Sequence, residues 1–177
     1  MGACVNILIR HDFYELDNPS KSRQFVQQTI DRISAEFGIE IPQDKSTPHG
    51  VYSEEDNWID IGFVIPAYDV DVMLRKGYWQ IGIGCHYCQV VRKWNGRLYI
   101  SDLALNLARL FEQREAWYCD EYLTDECMMM TLDELIEVGR SQHGITEFPY
   151  DELMRCEDNT ISDYKPFYHD SFEQRNE

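Results

Sequence analysis

The sequence has no apolar run near the ~18 residues that a membrane-spanning helix needs. It is also short of basic side chains, with 16 Lys plus Arg against 32 Asp plus Glu. The first absence argues against a helical membrane anchor. The second disfavours direct nucleic-acid binding and adhesion to anionic lipid, because a surface of net charge −16 repels phosphates. No phosphate-binding glycine loop, dinucleotide fingerprint, His-Glu-x-x-His pair or Gly-x-Ser-x-Gly elbow is present. Nothing local therefore announces an enzyme, and no cofactor is expected. The start, MGACVNILIR, lacks the basic region and cleavage site of a secretory signal, so a cytoplasmic protein is the expectation. With 6 Pro and 10 Gly there is neither a low-complexity linker nor an internal repeat.

What is present is ordinary for a globular chain: 177 residues, 44% hydrophobic and 27% charged. That length supports a hydrophobic core without metal or disulfide staples, and residues 1–177 read as a single domain. The 6 cysteines, at 4, 85, 88, 119, 127 and 156, read as free thiols in a reducing compartment. The charge is unevenly placed. Residues 1–114 carry 12 basic and 15 acidic side chains, whereas residues 115–177 carry 4 and 17, a net of −13.

Val5, Ile7 and Ile9 alternate as a half-buried strand. A helix follows, with Ser20 as candidate N-cap, an apolar stripe of Phe25, Val26, Ile30, Ile33 and Phe37, and Gly38 as C-cap. Residues 58–65 and 78–84 alternate as strands, the latter ending in a bulge or turn near Gly84 to Cys88. Asn95-Gly96 has the composition of a type I′ hairpin turn, pairing Trp94 with Arg97 and Arg92 with Tyr99. Ser101 or Asp102 then caps a second helix carrying Leu103, Leu107, Leu110 and Phe111. A strand over Ala116–Leu123 and a third helix follow, the helix opened by the Thr131/Glu134 capping box and closed near His143-Gly144. Pro149 opens a short turn of helix holding Leu153 and Met154. The acidic tail, 157–177, carries Tyr164, Phe167, Tyr168 and Phe172 and should dock, with a frayed end. The order predicts an α+β domain: an antiparallel-dominated sheet of about five strands, with about three helices packed mainly on one face.

Three groups of residues have chemical potential. Trp117, Tyr118 and Tyr122 lie among Asp120, Glu121, Asp125 and Glu126. Carboxylates beside exposed aromatics suit a grip on a cationic, partly apolar partner. Gly62, Gly82 and Gly84 share a strand face with Asp60, Gln80 and His86, where missing side chains would leave a groove for a ligand. Cys85 and Cys88 have zinc-like spacing, yet on a straight strand their sulfurs diverge. The function that best fits is an acidic protein-binding module, an inhibitor or immunity-type neutraliser of a basic partner, with a nucleic-acid mimic as a variant. The alternative is a metal-binding protein or enzyme using Asp60, His86 and the Cys85/Cys88 pair.

Overall fold

The computed structural model describes residues 4–42, 49–53, 58–86, 90, 93–120, 129–155 and 167–173. Their strands form one mixed sheet. Strand β1 (Cys4–Arg10) leads to helix α1 (Pro19–Phe37), then β2 (His49–Ser53), β3 (Trp58–Ile65), β4 (Val70–Arg75) and β5 (Tyr78–His86). Helix α2 (Trp94–Leu110), β6 (Glu115–Asp120), α3 (Leu132–His143), β7 (Thr146–Glu147), α4 (Tyr150–Arg155) and β8 (Phe167–Ser171) follow. The spatial order is β2-β3-β4-β5-β1-β6-β8-β7. Each neighbouring pair is antiparallel except β7 with β8, which is parallel.

Strand alternation divides the sheet into two apolar faces. On the first, Val5, Ile7 and Ile9 of β1 join Phe63, Val72 and Ile81 and are covered by α1 and α2. The α1 stripe works as its spacing predicts: Val26, Ile30 and Ile33 are buried, while Phe37 is exposed at its end. The N-cap is Asn18, whose side chain accepts from the Lys21 amide, with Pro19 at the first helical position; the start thus lies two residues earlier than a Ser20 cap implies. On the second face, Leu8, Tyr78, Trp117, Cys119 and Phe167 pack under Leu132, Leu135 and Ile136 of α3. The helices therefore do not share one face; α3 covers the reverse of the sheet. The Thr131/Glu134 capping box forms as expected.

The Asn95-Gly96 hairpin does not form. Both residues lie in the first turn of α2, which starts seven residues before Ser101. The stripe Ile100, Leu103, Ala104, Leu107 and Ala108 has helical spacing and is buried, and its burial outweighs the local turn preference. Glycine is needed at 96 for another reason: a Cβ there would lie 2.6 Å from the carbonyl oxygen of Val90. Arg97, instead of facing Trp94 across a hairpin, lies with its guanidinium 5.3 Å from the centre of the Tyr168 ring, and Tyr99 is exposed. The two-residue hairpin turn is at Lys76-Gly77, between β4 and β5, where Gly77 takes a φ of 82°. The expected irregularity near Gly84 is present. Cys4 pairs with His86 but Val5 with Ile83, so Gly84 and Cys85 bulge out of register.

The C-terminal segment is part of the sheet. Phe167, Tyr168 and Phe172 are buried, and β8 lies between β6 and β7. Asp170 is 1% exposed and its Oδ2 accepts from Ser101 Oγ and from Tyr118 Oη, each at 2.6 Å. These bonds tie β8 to α2 and to β6. No helix among the described residues is long and apolar enough to cross a membrane.

Candidate functional site

Of the three aromatic anchors expected in the acidic segment, Trp117 and Tyr118 are not at the surface. Trp117 and Tyr118 are 9% and 1% exposed, because adjacent residues of β6 point into opposite apolar layers. Trp117 packs on Phe167 and His169 beneath α3, and Tyr118 reaches Asp170 on the other side. Neither can serve as a surface contact. Asp120 ends the strand half-buried; Glu121, Tyr122, Asp125 and Glu126 lie outside the described residues.

The glycine face is only partly open. At Gly62 a Cβ would meet the carbonyl of Val72 at 2.3 Å and Met73 Sδ at 2.5 Å, so Met73 occupies the expected gap. Gly84 is exposed with open space beside it, and Gly82 has only Asn6 Oδ1 at 3.9 Å. Gln80 is engaged, accepting from Arg75 Nε at 2.8 Å and donating to Asn6 Oδ1 at 3.4 Å. The registers also separate Asp60 from His86. Continuing the β3–β4 and β4–β5 pairings places Asp60 level with Arg75 and Tyr78. His86 lies at the far end of β5, roughly 25 Å along the strand. The backbone positions of Asp60 and His86 thus lie toward opposite ends of the β4–β5 pair. Cys85 follows Gly84 in the bulge, and Cys88 lies outside the described residues. Among the described residues no three His, Cys, Asp or Glu side chains converge as a metal site.

The structure instead assembles an ionic ladder that crosses four strands. On the α3 side of the sheet, His169 of β8 stands between Glu115 of β6 and Glu147 of β7. Its Nε2 lies 3.0 Å from Glu115 Oε2, and its Nδ1 lies 2.9 Å from both oxygens of Glu147. The register fixes this: Glu147 pairs with His169 on one side, and Glu115 pairs with Ser171, two residues along β8, on the other. Arg10 of β1 extends the ladder, 3.9 Å from Glu115 and 2.8 Å from Asp133 at the start of α3. The imidazole also lies 4.2 Å from the Trp117 ring, centre to centre. The hydrogen bond to Glu115, more than any other cause, raises the His169 pKa above the ordinary histidine value, and Glu147 adds to it. The same contact lowers that of Glu115. The bond from Arg10 lowers the pKa of Asp133.

A second histidine has the opposite character. His11, 9% exposed, lies against Phe25 and Trp79 at the floor of a cleft of about 480 Å³ between α1 and the end of α2. Burial lowers its pKa to about 4. Its Nδ1 accepts the Phe13 amide at 3.1 Å, and its buried Nε2 has no well-formed hydrogen bond among the described residues. The ring offers the cleft no accessible lone pair, so it is not placed to act as a base there.

The five histidines, at 11, 49, 86, 143 and 169, share no local motif in the sequence. The signal for the ladder is the presence of a charged or titratable residue at the same face position of four strands. It becomes visible only once the strand order places β8 between β6 and β7. No family model matches the chain, and neither a curated protein nor a solved structure matches it.

Proposed function

We propose that the chain is a binding module for a basic protein partner, acting as an inhibitor or immunity-type neutraliser. The supporting observation is the rim around the β7 edge. From Leu132 to Arg155, Asp133, Glu134, Glu137, Glu147, Asp151 and Glu152 are all exposed, against only two arginines, 140 and 155. The segment carries these groups around the sheet, with α3 on one face, β7 at the edge and α4 against α2.

Local pairs absorb part of this charge, through Arg10 with Asp133 and Arg140 with Glu137. Such exposed pairs contribute little stability each, and the surplus of carboxylates remains to steer a cationic partner in encounter. A nucleic-acid-binding partner, met by carboxylates in place of phosphates, is the variant of this reading.

The experiment is to crosslink the chain in its native cell, isolate the partner and measure association with purified components. The expected partner is basic. Its association rate should fall steeply as salt rises through the range in which the Debye length drops below about 10 Å. It should fall about tenfold in the triple reversal Glu137→Lys, Asp151→Lys, Glu152→Lys. An acidic partner, or a rate indifferent to both changes, overturns the reading.

A further inference from the structure

We propose that His169 is a proton-operated latch: its imidazolium, bridging Glu115 and Glu147, holds the edge segment 146–155 on the sheet, and loss of the proton loosens it. The geometry carries this. Both ring nitrogens are 2.9 to 3.0 Å from carboxylate oxygens. Carboxylates only accept, so both nitrogens must donate, which only the doubly protonated ring can do. A neutral ring has one N–H, and its bare nitrogen would then face a carboxylate oxygen, lone pair against lone pair.

The strand order decides which partner yields. Glu115 is 38% exposed, lies on a strand paired on both sides, and has Arg10 beside it. Glu147 is 73% exposed and lies on a two-residue strand that ends the sheet and pairs only with β8. The Glu147 contact is the weaker support. With the ring protonated, Asp133, Arg10, Glu115, His169 and Glu147 alternate in sign along the ladder, and the Trp117 face adds a cation–π contact to the charged ring. Removing the proton leaves three carboxylates with one guanidinium.

Contacts that do not titrate also hold the segment. The Phe148 amide donates to the His169 carbonyl at 2.7 Å, and the Phe148 ring packs near Tyr118 and Tyr168. Deprotonation therefore shifts a population toward the open form. It bares the outer edge of β8 without dismantling the sheet.

The test uses the full chain. Ring ¹⁵N shifts of histidine-labelled protein should show both His169 nitrogens protonated at pH 6.5. The protection factor of the Phe148 amide, corrected for intrinsic exchange, should drop at least tenfold between pH 6 and pH 9, while the Ile7 and Ile81 amides hold theirs. Glu147→Gln should reduce that drop to less than threefold, because its amide can donate to the bare nitrogen. A neutral ring at pH 6.5, unchanged Phe148 protection, or an equal drop in Glu147→Gln overturns the latch. The ring shifts of the unaltered chain decide the matter even if the variant fails to fold.

Discussion

Tyr118 on β6 and Asp170 on β8 are joined by a hydroxyl-to-carboxyl hydrogen bond of 2.6 Å, deep under α2. Ser101 donates to the same oxygen from the helix, so one carboxyl group gathers three elements. Distances this short are typical of hydroxyls donating to ionised oxygens. Asp170→Ala would leave two buried hydroxyls without this acceptor, at about 1–3 kcal/mol each. The expected loss is about 3 kcal/mol in urea unfolding, with a smaller loss for Tyr118→Phe, which removes one donor while Asp170 keeps its bond from Ser101. A Tyr118→Phe cost equal to that of Asp170→Ala would show that the carboxyl group is not the organising element.

The glycine face supplies a paired test. A methyl group at Gly62 would have to displace the Val72 carbonyl, a backbone atom within a ladder. Overpacking of this kind costs about 1–3 kcal/mol. Gly84 has open space around it, so Gly84→Ala should be neutral or stabilising by a few tenths of a kcal/mol through the unfolded chain. Thermal unfolding of the two variants should give opposite or clearly unequal shifts. A Gly84→Ala variant as damaged as Gly62→Ala would mean that Gly84 is covered.

Much of the frame was legible in the residues. The alternation of β1, β3 and β5, the α1 stripe, the capping box of α3 and the bulge at Gly84 all follow from local period and chemistry. What failed did so for a shared reason. Asn95-Gly96 has the composition of a turn, but α2 gains more by extending its buried stripe than a hairpin gains from its turn. Trp117 and Tyr118 look like surface anchors beside acids in the sequence, yet a strand covered on both faces buries consecutive residues, as the fully buried middle of β6 shows. The ladder around His169 was out of reach because its members come from β1, β6, β7, β8 and the start of α3, and only the crossover that inserts β8 beside β6 brings them together.

Helix α3 separates local from tertiary stabilisation. Thr131 accepts the Glu134 amide, and Glu134 accepts in return from the Thr131 amide and hydroxyl. Thr131→Ala should cost about 1 kcal/mol and Thr131→Ser almost nothing. Leu135 is fully buried against the sheet, and Leu135→Ala should cost about 2–5 kcal/mol. If the cap variant were the more damaging in equilibrium unfolding, α3 would be held by its own propensity and not by the apolar face it covers.

His11 sets an acid limit on stability. Its folded pKa is about 4 against an unfolded value near 6.5, with burial as the first cause. A depressed histidine pKa means that the unfolded chain takes up a proton first as pH falls. Stability is therefore lost between pH 6.5 and about 4 and is constant below that as far as this group is concerned. The full difference corresponds to about 3 kcal/mol. His169 runs the other way: its raised pKa adds stability that is present below the unfolded value and lost as pH rises through the folded one. Comparing the wild type with His11→Asn cancels the His169 contribution and those of the carboxylates. The Asn carbonyl can still accept the Phe13 amide but cannot titrate. The advantage of the wild type at pH 7 should shrink by about 2–3 kcal/mol by pH 4.5 in urea unfolding followed by Trp fluorescence. A constant difference across that interval would mean that His11 takes up its proton without leaving the aromatic floor, and the assignment of its burial as the cause would fail.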